Sequence, residues 1–306
     1  MAPAFFHEAE KTVCVMDAGG RVGAALVKKL LRRGYTVHAA TQGDRRGVAK
    51  LAGGGGESER LKVFRADPFD YQSLLDAVRG CSGLFYSFEA PPEQPSYDEY
   101  MAEVEVMAAH NVLEACAQTE TVERVVYTSS VTAVVWRESR RLVPGLDERD
   151  WSDPQFCRKF RLWHALAKTL AEKAAWALAM DRGISMVAIN AGLLAGPGLS
   201  VATSPYLRGA AEMYEDGLLV TVEDGFLADA HICAFEDPAA YGRYLCFNRV
   251  VCRPEDAAEL AKMMAVPCPQ PPSSEDFKIV RQRIHGEKLS KLMLGFGDGL
   301  EAEIVH

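Results

Sequence analysis

The sequence predicts an α/β fold, a doubly wound parallel sheet, on three observations. Short runs rich in β-branched residues alternate with amphipathic stretches at helical spacing from Lys11 to Asn190. The first run passes through a glycine turn straight into a helix, KTVCVMDAGGRVG over 11–23. A chain of 306 residues, 48% hydrophobic and 25% charged, also has the composition and length to bury a large core.

Val13 and Val15 make the first strand, and Val22, Leu26, Val27, Leu30 and Leu31 repeat at helical spacing opposite Lys28, Lys29, Arg32 and Arg33. Strand, glycine turn and helix begin a dinucleotide-binding βαβ unit, in which the turn admits a pyrophosphate and the helix N-terminus faces its charge. The usual Gly-x-x-Gly-x-x-Gly spacing is here Asp17, Gly20 and Gly23. Asp17 brings a Cβ and a carboxylate into that turn. A βαβ unit that holds no nucleotide is the alternative for this stretch.

The second strand is expected over 34–41. Its end meets the adenosine ribose, where an acid favours NAD and an arginine favours NADP. The chain offers Gln42 and then Gly43-Asp44-Arg45-Arg46, so the reading leans to NADP without excluding NAD. Gly53 to Gly56 is a flexible connection before a third strand at Leu61–Arg65. Asp67 is placed near the adenine, and Asp70 caps a helix to about Val78. A fourth strand at Leu84–Phe88, a break at Pro91, Pro92 and Pro95, a long helix from about Tyr97 to Gln118, and a fifth strand ending in Ser129-Ser130 complete the first half.

The polar stretch from Trp136 to Asp153 has a length usually reserved for function. Beyond it the spacing predicts one helix from about Pro154 to Arg182, a strand at Ile184–Asn190, a strand near Leu218–Val222, a helix near Phe226–Phe235, a strand at Tyr244–Asn248 and a helix at about Pro254–Met264. The stretch Pro267–Ser274 reads as a loop and Gly295–Gly299 as the start of a tail.

The net charge of −8 argues against nucleic acid or an anionic membrane as partner. No apolar run nears the roughly 18 residues a spanning helix needs. The start, MAPAFFHEAEK, lacks the pattern of a signal peptide, which points to the cytoplasm. Eight cysteines are scattered without a Cys-x-x-Cys, so they read as reduced thiols and no metal site is expected.

Ser130 ends a strand, and His164 and Lys168 stand four apart on a helix and so share a face. Here the chain resembles the extended short-chain dehydrogenase/reductases, and among them the plant cinnamoyl-CoA reductase and dihydroflavonol reductase group. The resemblance is carried by VVYTSS (125–130), WSDPQFCRKFRLWHALAKTLAEKAAWA (151–177), NAGLLAGP (190–197) and GRYLC (242–246). It implies a Rossmann domain over 1–190, with returns to the sheet near 218–250, and a mainly substrate-binding lobe over 191–306. It also implies NAD(P)H-dependent reduction of a phenylpropanoid-type carbonyl or CoA thioester.

Carried over residue by residue, the serine that orients the carbonyl is Ser130 and the lysine that holds the nicotinamide ribose is Lys168. The tyrosine that protonates the oxygen is replaced by His164. The cofactor positions implied are Gly20, Arg21, Val22, Gly23, Gln42, Asp67, Lys168, Ala191 and Leu194. Asp17, Gln42, His38 and Ala191 depart from the family pattern, and Ala165 leaves Cys157 without the second cysteine of some relatives. Next to a lysine cation an imidazole starts near 6.5 and is pushed down, so His164 is expected to be neutral, a poor acid and a usable base. Two readings stay open: a reductase working through Ser130, His164 and Lys168 on a small-molecule substrate, and a catalytically impaired relative that binds a ligand or an unidentified protein partner.

Overall fold

Thr12–Met16 (β1) is buried from Val13 onward and is followed by the helix Arg21–Arg32 (α1), whose Val22, Leu26, Val27, Leu30 and Leu31 lie in the core. Each such side chain contributes about 1.5–3 kcal/mol of burial. The computed structural model describes residues 11–88, 97–196, 199, 204–264, 280–294 and 296. The N-terminal eleven-residue stretch therefore lies outside the described residues except for Lys11, as do Pro91, Pro92, Pro95, Pro197, Cys268, Pro267–Ser274 and most of the glycine-rich tail.

The chain continues through β2 (Thr36–Thr41), the short helices α2 (Arg45–Ala49) and α3 (Glu57–Arg60), β3 (Leu61–Arg65), α4 (Tyr71–Val78) and β4 (Gly83–Tyr86). Then come α5 (Glu99–Ala117), β5 (Arg124–Ser130), α6 (Thr132–Val135), α7 (Pro154–Lys159), α8 (Trp163–Arg182), β6 (Ser185–Ala191) and β7 (Leu193–Leu194). The last elements are α9 (Ala210–Glu215), β8 (Val220–Val222), α10 (Asp224–Glu236), β9 (Gly242–Cys246), β10 (Arg249–Val250), α11 (Pro254–Met263) and α12 (Glu287–Met293).

Seven strands form one sheet in the order β3-β2-β1-β4-β5-β6-β9, and every pair is parallel. The order reverses between β1 and β4, where a doubly wound sheet opens its ligand crevice. On one face α1 and α10 pack together, joined by Arg21–Asp224 at 2.8 Å, Lys29–Asp229 at 2.7 Å and Arg33–Glu236 at 2.6 Å. On the other face α4, α5 and α8 cover the second core, in which Leu74, Val112, Leu113, Ala171 and Ala175 are buried.

Two expectations change. The helix over 154–182 is two helices: Asp153 caps α7, and Arg161 takes a left-handed φ of 53° that ends it before α8 begins. The strand near 218–222 leaves the main sheet for a three-stranded one, β10-β8-β7, while β9 does return to the main sheet. The polar stretch over 136–153 is pinned by ion pairs and hydrogen bonds. Arg137 pairs with Asp150, Arg140 and Arg141 both reach Asp216, and Arg243 donates to the carbonyls of Glu148 and Asp150.

Candidate active site

The crevice at the reversal holds a cavity of about 460 Å³ lined by the glycine turn, the end of β2 and the end of β4. Its size suits a substantial part of a dinucleotide. Asp17 enters the turn with φ of +63°, a left-handed conformation that costs most residues strain and that aspartate tolerates better than others. Its carbonyl comes so close to Gly23 that a Cβ there would sit 2.2 Å away, which fixes glycine at position 23.

Gly20 and Gln42 line the cavity, as does Asp17. Asp67 stands at its edge, where its carboxylate accepts from Gln42 Nε2 at 3.1 Å and from the Phe69 amide. The side chain of Arg21 turns away to Asp224 and to the carbonyls of Leu194 and Ala195. Val22 is core, Ala191 is buried in β6, and Leu194 serves Arg21 through its carbonyl. For Arg21, Val22, Gly23, Ala191 and Leu194 the geometry is thus that of a support for the turn, and none lines the cavity. For Arg21 the cause is the carboxylate of Asp224, which captures the guanidinium.

The cavity ends at Tyr86, Ser87 and Phe88. The Tyr86 hydroxyl is buried with no hydrogen-bond partner among the described residues, an arrangement that costs about 1–3 kcal/mol unless a ligand completes it. Lys168 Nζ donates to the Phe88 carbonyl at 3.2 Å, which places the lysine at this inner end. The glycine turn, the cavity and this lysine together fit a nicotinamide dinucleotide.

Ser130 and His164 are brought together, and Thr132 joins them. Thr132 donates to Ser130 Oγ through both its amide, at 3.2 Å, and its hydroxyl, at 3.0 Å. His164 Nδ1 lies 3.1 Å from Thr132 Oγ1. The end of β5 is held by Asn190, whose side chain donates to the Ser130 carbonyl and to Glu172. Glu172 in turn pairs with Arg243 at 2.6 Å, and both are buried. Burial first, and then the Lys168 cation, hold the His164 imidazole well below its usual range, so the ring is neutral at pH 7.

Two residues that the sequence reading did not single out complete the site. Lys168 Nζ is 2.8 Å from Glu105 Oε1, with Glu105 fully buried on α5. The Tyr97 hydroxyl donates to the other Glu105 oxygen at 2.5 Å, and its ring meets His164 edge-on with centroids 5.3 Å apart. Burial and the Glu105 charge push the Tyr97 phenol well above its ordinary value. A signal for Glu105 existed: it falls among Met101, Ala102, Ala108, Ala109 and Val112, the apolar face of α5. Among the described residues no group of His, Cys, Asp and Glu side chains could hold a metal ion.

The model of the NAD dependent epimerase/dehydratase family matches residues 13–221. Cinnamoyl-CoA reductase 1 of Petunia hybrida is 36% identical over 94% of this chain and 88% of its own length. The chain belongs to this family, in its cinnamoyl-CoA reductase and dihydroflavonol reductase branch. Dihydroflavonol 4-reductase of Zea mays is 38% identical over 78% of this chain and 71% of its own length. Among solved structures, vestitone reductase from alfalfa superposes with a TM-score of 0.70 at 28% identity, over 92% of this chain and 91% of that one. Membership in an NAD dependent family supports a nicotinamide cofactor.

Proposed function

We propose that the protein is a nicotinamide-dependent oxidoreductase acting on a phenylpropanoid-type carbonyl or CoA thioester, with residues 191–306 forming most of the substrate lobe. One observation carries the reading. Lys168 donates to the carbonyl of Phe88, which lines the cavity, and one helical turn away His164 joins Ser130 through Thr132. When bound, the reduced nicotinamide supplies a hydride to the carbonyl carbon. Ser130 donates a hydrogen bond to the carbonyl oxygen, Lys168 orients the nicotinamide ribose, and the aromatic rings of Tyr97 and Tyr206 flank His164 and limit water.

NADP(H) is the proposed dinucleotide. Arg45 donates to the Val63 carbonyl, whereas Arg46 opens α2 exposed and without an ion pair among the described residues, free to meet a 2′-phosphate. Gln42 lines the cavity, as do Gly47 and Val48 of that helix.

The experiment is calorimetric titration of the protein with NADPH and with NADH, followed by an assay for oxidation of the bound form by a cinnamoyl-CoA-type substrate. Micromolar binding and turnover are expected. No binding of either dinucleotide at millimolar concentration would overturn the reading. A second reading, a ligand-binding relative without turnover, is favoured by one contact: Glu105 meets the Lys168 charge that a reductase would direct at its proton donor.

A further inference from the structure

We propose that Ser130, Thr132 and His164 form a directed proton relay in which Ser130 is the last donor to the substrate oxygen and Thr132 is its indispensable link. The inference rests on the reductase reading and supplies the proton source that a neutral imidazole in place of a tyrosine leaves unassigned.

The direction rests on the Thr132 hydroxyl acting as donor in its 3.0 Å contact with Ser130 Oγ, and the rest follows from counting hydrogens. The amide and the hydroxyl of Thr132 both donate to Ser130 Oγ. A serine oxygen has two lone pairs and one hydrogen, so the Ser130 hydrogen is left to donate outward. The Thr132 hydrogen is committed to Ser130, so its oxygen accepts from His164. The nitrogen 3.1 Å away, Nδ1, therefore carries the ring proton and Nε2 carries the lone pair. Nε2 has no hydrogen bond among the described residues, and His164 is partly exposed.

The step balances as follows. A hydride from the reduced nicotinamide forms a C–H bond at the carbonyl carbon, and the C=O π pair moves to oxygen. That oxygen takes the Ser130 hydroxyl proton, Ser130 takes the Thr132 proton, and Thr132 takes the proton on His164 Nδ1. Nε2 takes one proton from water, so the ring ends neutral as the other tautomer. The nicotinamide is oxidised by two electrons and one solvent proton is consumed; an aldehyde or ketone becomes an alcohol, whereas a CoA thioester becomes a hemithioacetal that collapses to the aldehyde, its hydroxyl proton leaving with the CoA thiol. No imidazolium forms, which suits a ring held neutral by burial. Exchange with solvent resets the tautomer.

Two measurements test this. In the resting protein, nitrogen NMR of labelled histidine, with His164→Gln to assign the signal, is expected to show the proton on Nδ1 of His164. With NADPH and a cinnamoyl-CoA-type substrate, Thr132→Val is expected to lower kcat by about 10²-fold at unchanged KM and to turn a curved proton inventory linear. Thr132→Ser, which keeps the hydroxyl, is expected to recover most of kcat. A proton on Nε2 in the resting protein, or a Thr132→Val enzyme with kcat within about twofold of the parent, overturns the relay alone. The tautomer is read on the unaltered chain, so it decides the direction even where Thr132→Val does not fold. A protein that binds NADPH, shows the Nδ1 proton and reduces no carbonyl or thioester overturns the reductase reading, and the relay's use with it.

Discussion

Glu105 Oε1 and Lys168 Nζ stand 2.8 Å apart between α5 and α8, with the carboxylate fully buried and the lysine 8% exposed. Removing one partner of such a pair leaves an uncompensated charge in a poor solvent, at a cost of about 3–5 kcal/mol. Glu105→Gln should lower the free energy of unfolding by about that much in urea. Glu105→Leu combined with Lys168→Met should recover most of the loss, since the pair and its desolvation disappear together. A single-variant effect below about 0.5 kcal/mol would mean that the pair is hydrated in solution.

Acid should destabilise the fold before its carboxylates titrate. Burial lowers the pKa of His38 and of His164, and it takes His231 to about 4. In the unfolded chain each ring titrates near about 6.5. Between those values the unfolded state binds more protons, so stability rises with pH and is lost as pH falls from about 6.5 towards 4. His231 alone accounts for about 3 kcal/mol at the low end. Urea midpoints across this range check the sign; a midpoint that rises on acidification would contradict it.

The glycine turn makes opposite predictions at its two ends. Gly23→Ala puts a methyl 2.2 Å from the Asp17 carbonyl, so the turn must open. Loss of dinucleotide binding with a lowered melting temperature is expected. Asp17→Gly removes a carboxylate from the cavity wall and a left-handed φ of +63° from a residue with a Cβ. The dissociation constant for NADPH should fall about fivefold, the size of a charge repulsion of about 1 kcal/mol. Calorimetry on both variants reads the two effects.

Arg46→Ala should separate the dinucleotides. Loss of a charge-assisted contact to the 2′-phosphate is worth about 1.5–3 kcal/mol, so NADPH binding should weaken by at least tenfold while NADH binding stays as it was. Equal loss for both, or loss for neither, would place the phosphate elsewhere.

The sheet was legible because each of its strands is a short apolar run bounded by turn residues. Leu61–Arg65 lies where the spacing puts it, and Asp70 caps α4 through the Ser73 amide. The break at Arg161 was not, because the apolar spacing of 154–182 runs on while a single backbone angle ends the helix. At the site, spacing and resemblance singled out Ser130, His164 and Lys168, and the structure brings Ser130 and His164 together through Thr132. Thr132 was missed because α6 is only four residues long and its polar side chain gave no periodic signal. Tyr97, just ahead of α5, and Glu105 on α5 were not legible because they meet the residues of α8 only in three dimensions. The tie of the Arg21 side chain to Asp224 was not legible, because the partner lies 203 positions on, beyond the reach of any local pattern.

The three ion pairs between α1 and α10 set an order of events during synthesis. Their partners are 203, 200 and 203 positions apart. The first βα unit leaves the ribosome long before the helix that covers it, with five large apolar side chains of α1 in want of a neighbour. The nascent first half thus spends most of translation as an unfinished layer, open to chaperones and to self-association. The lysine and arginines of α1 that later meet Asp224, Asp229 and Glu236 keep that waiting surface charged.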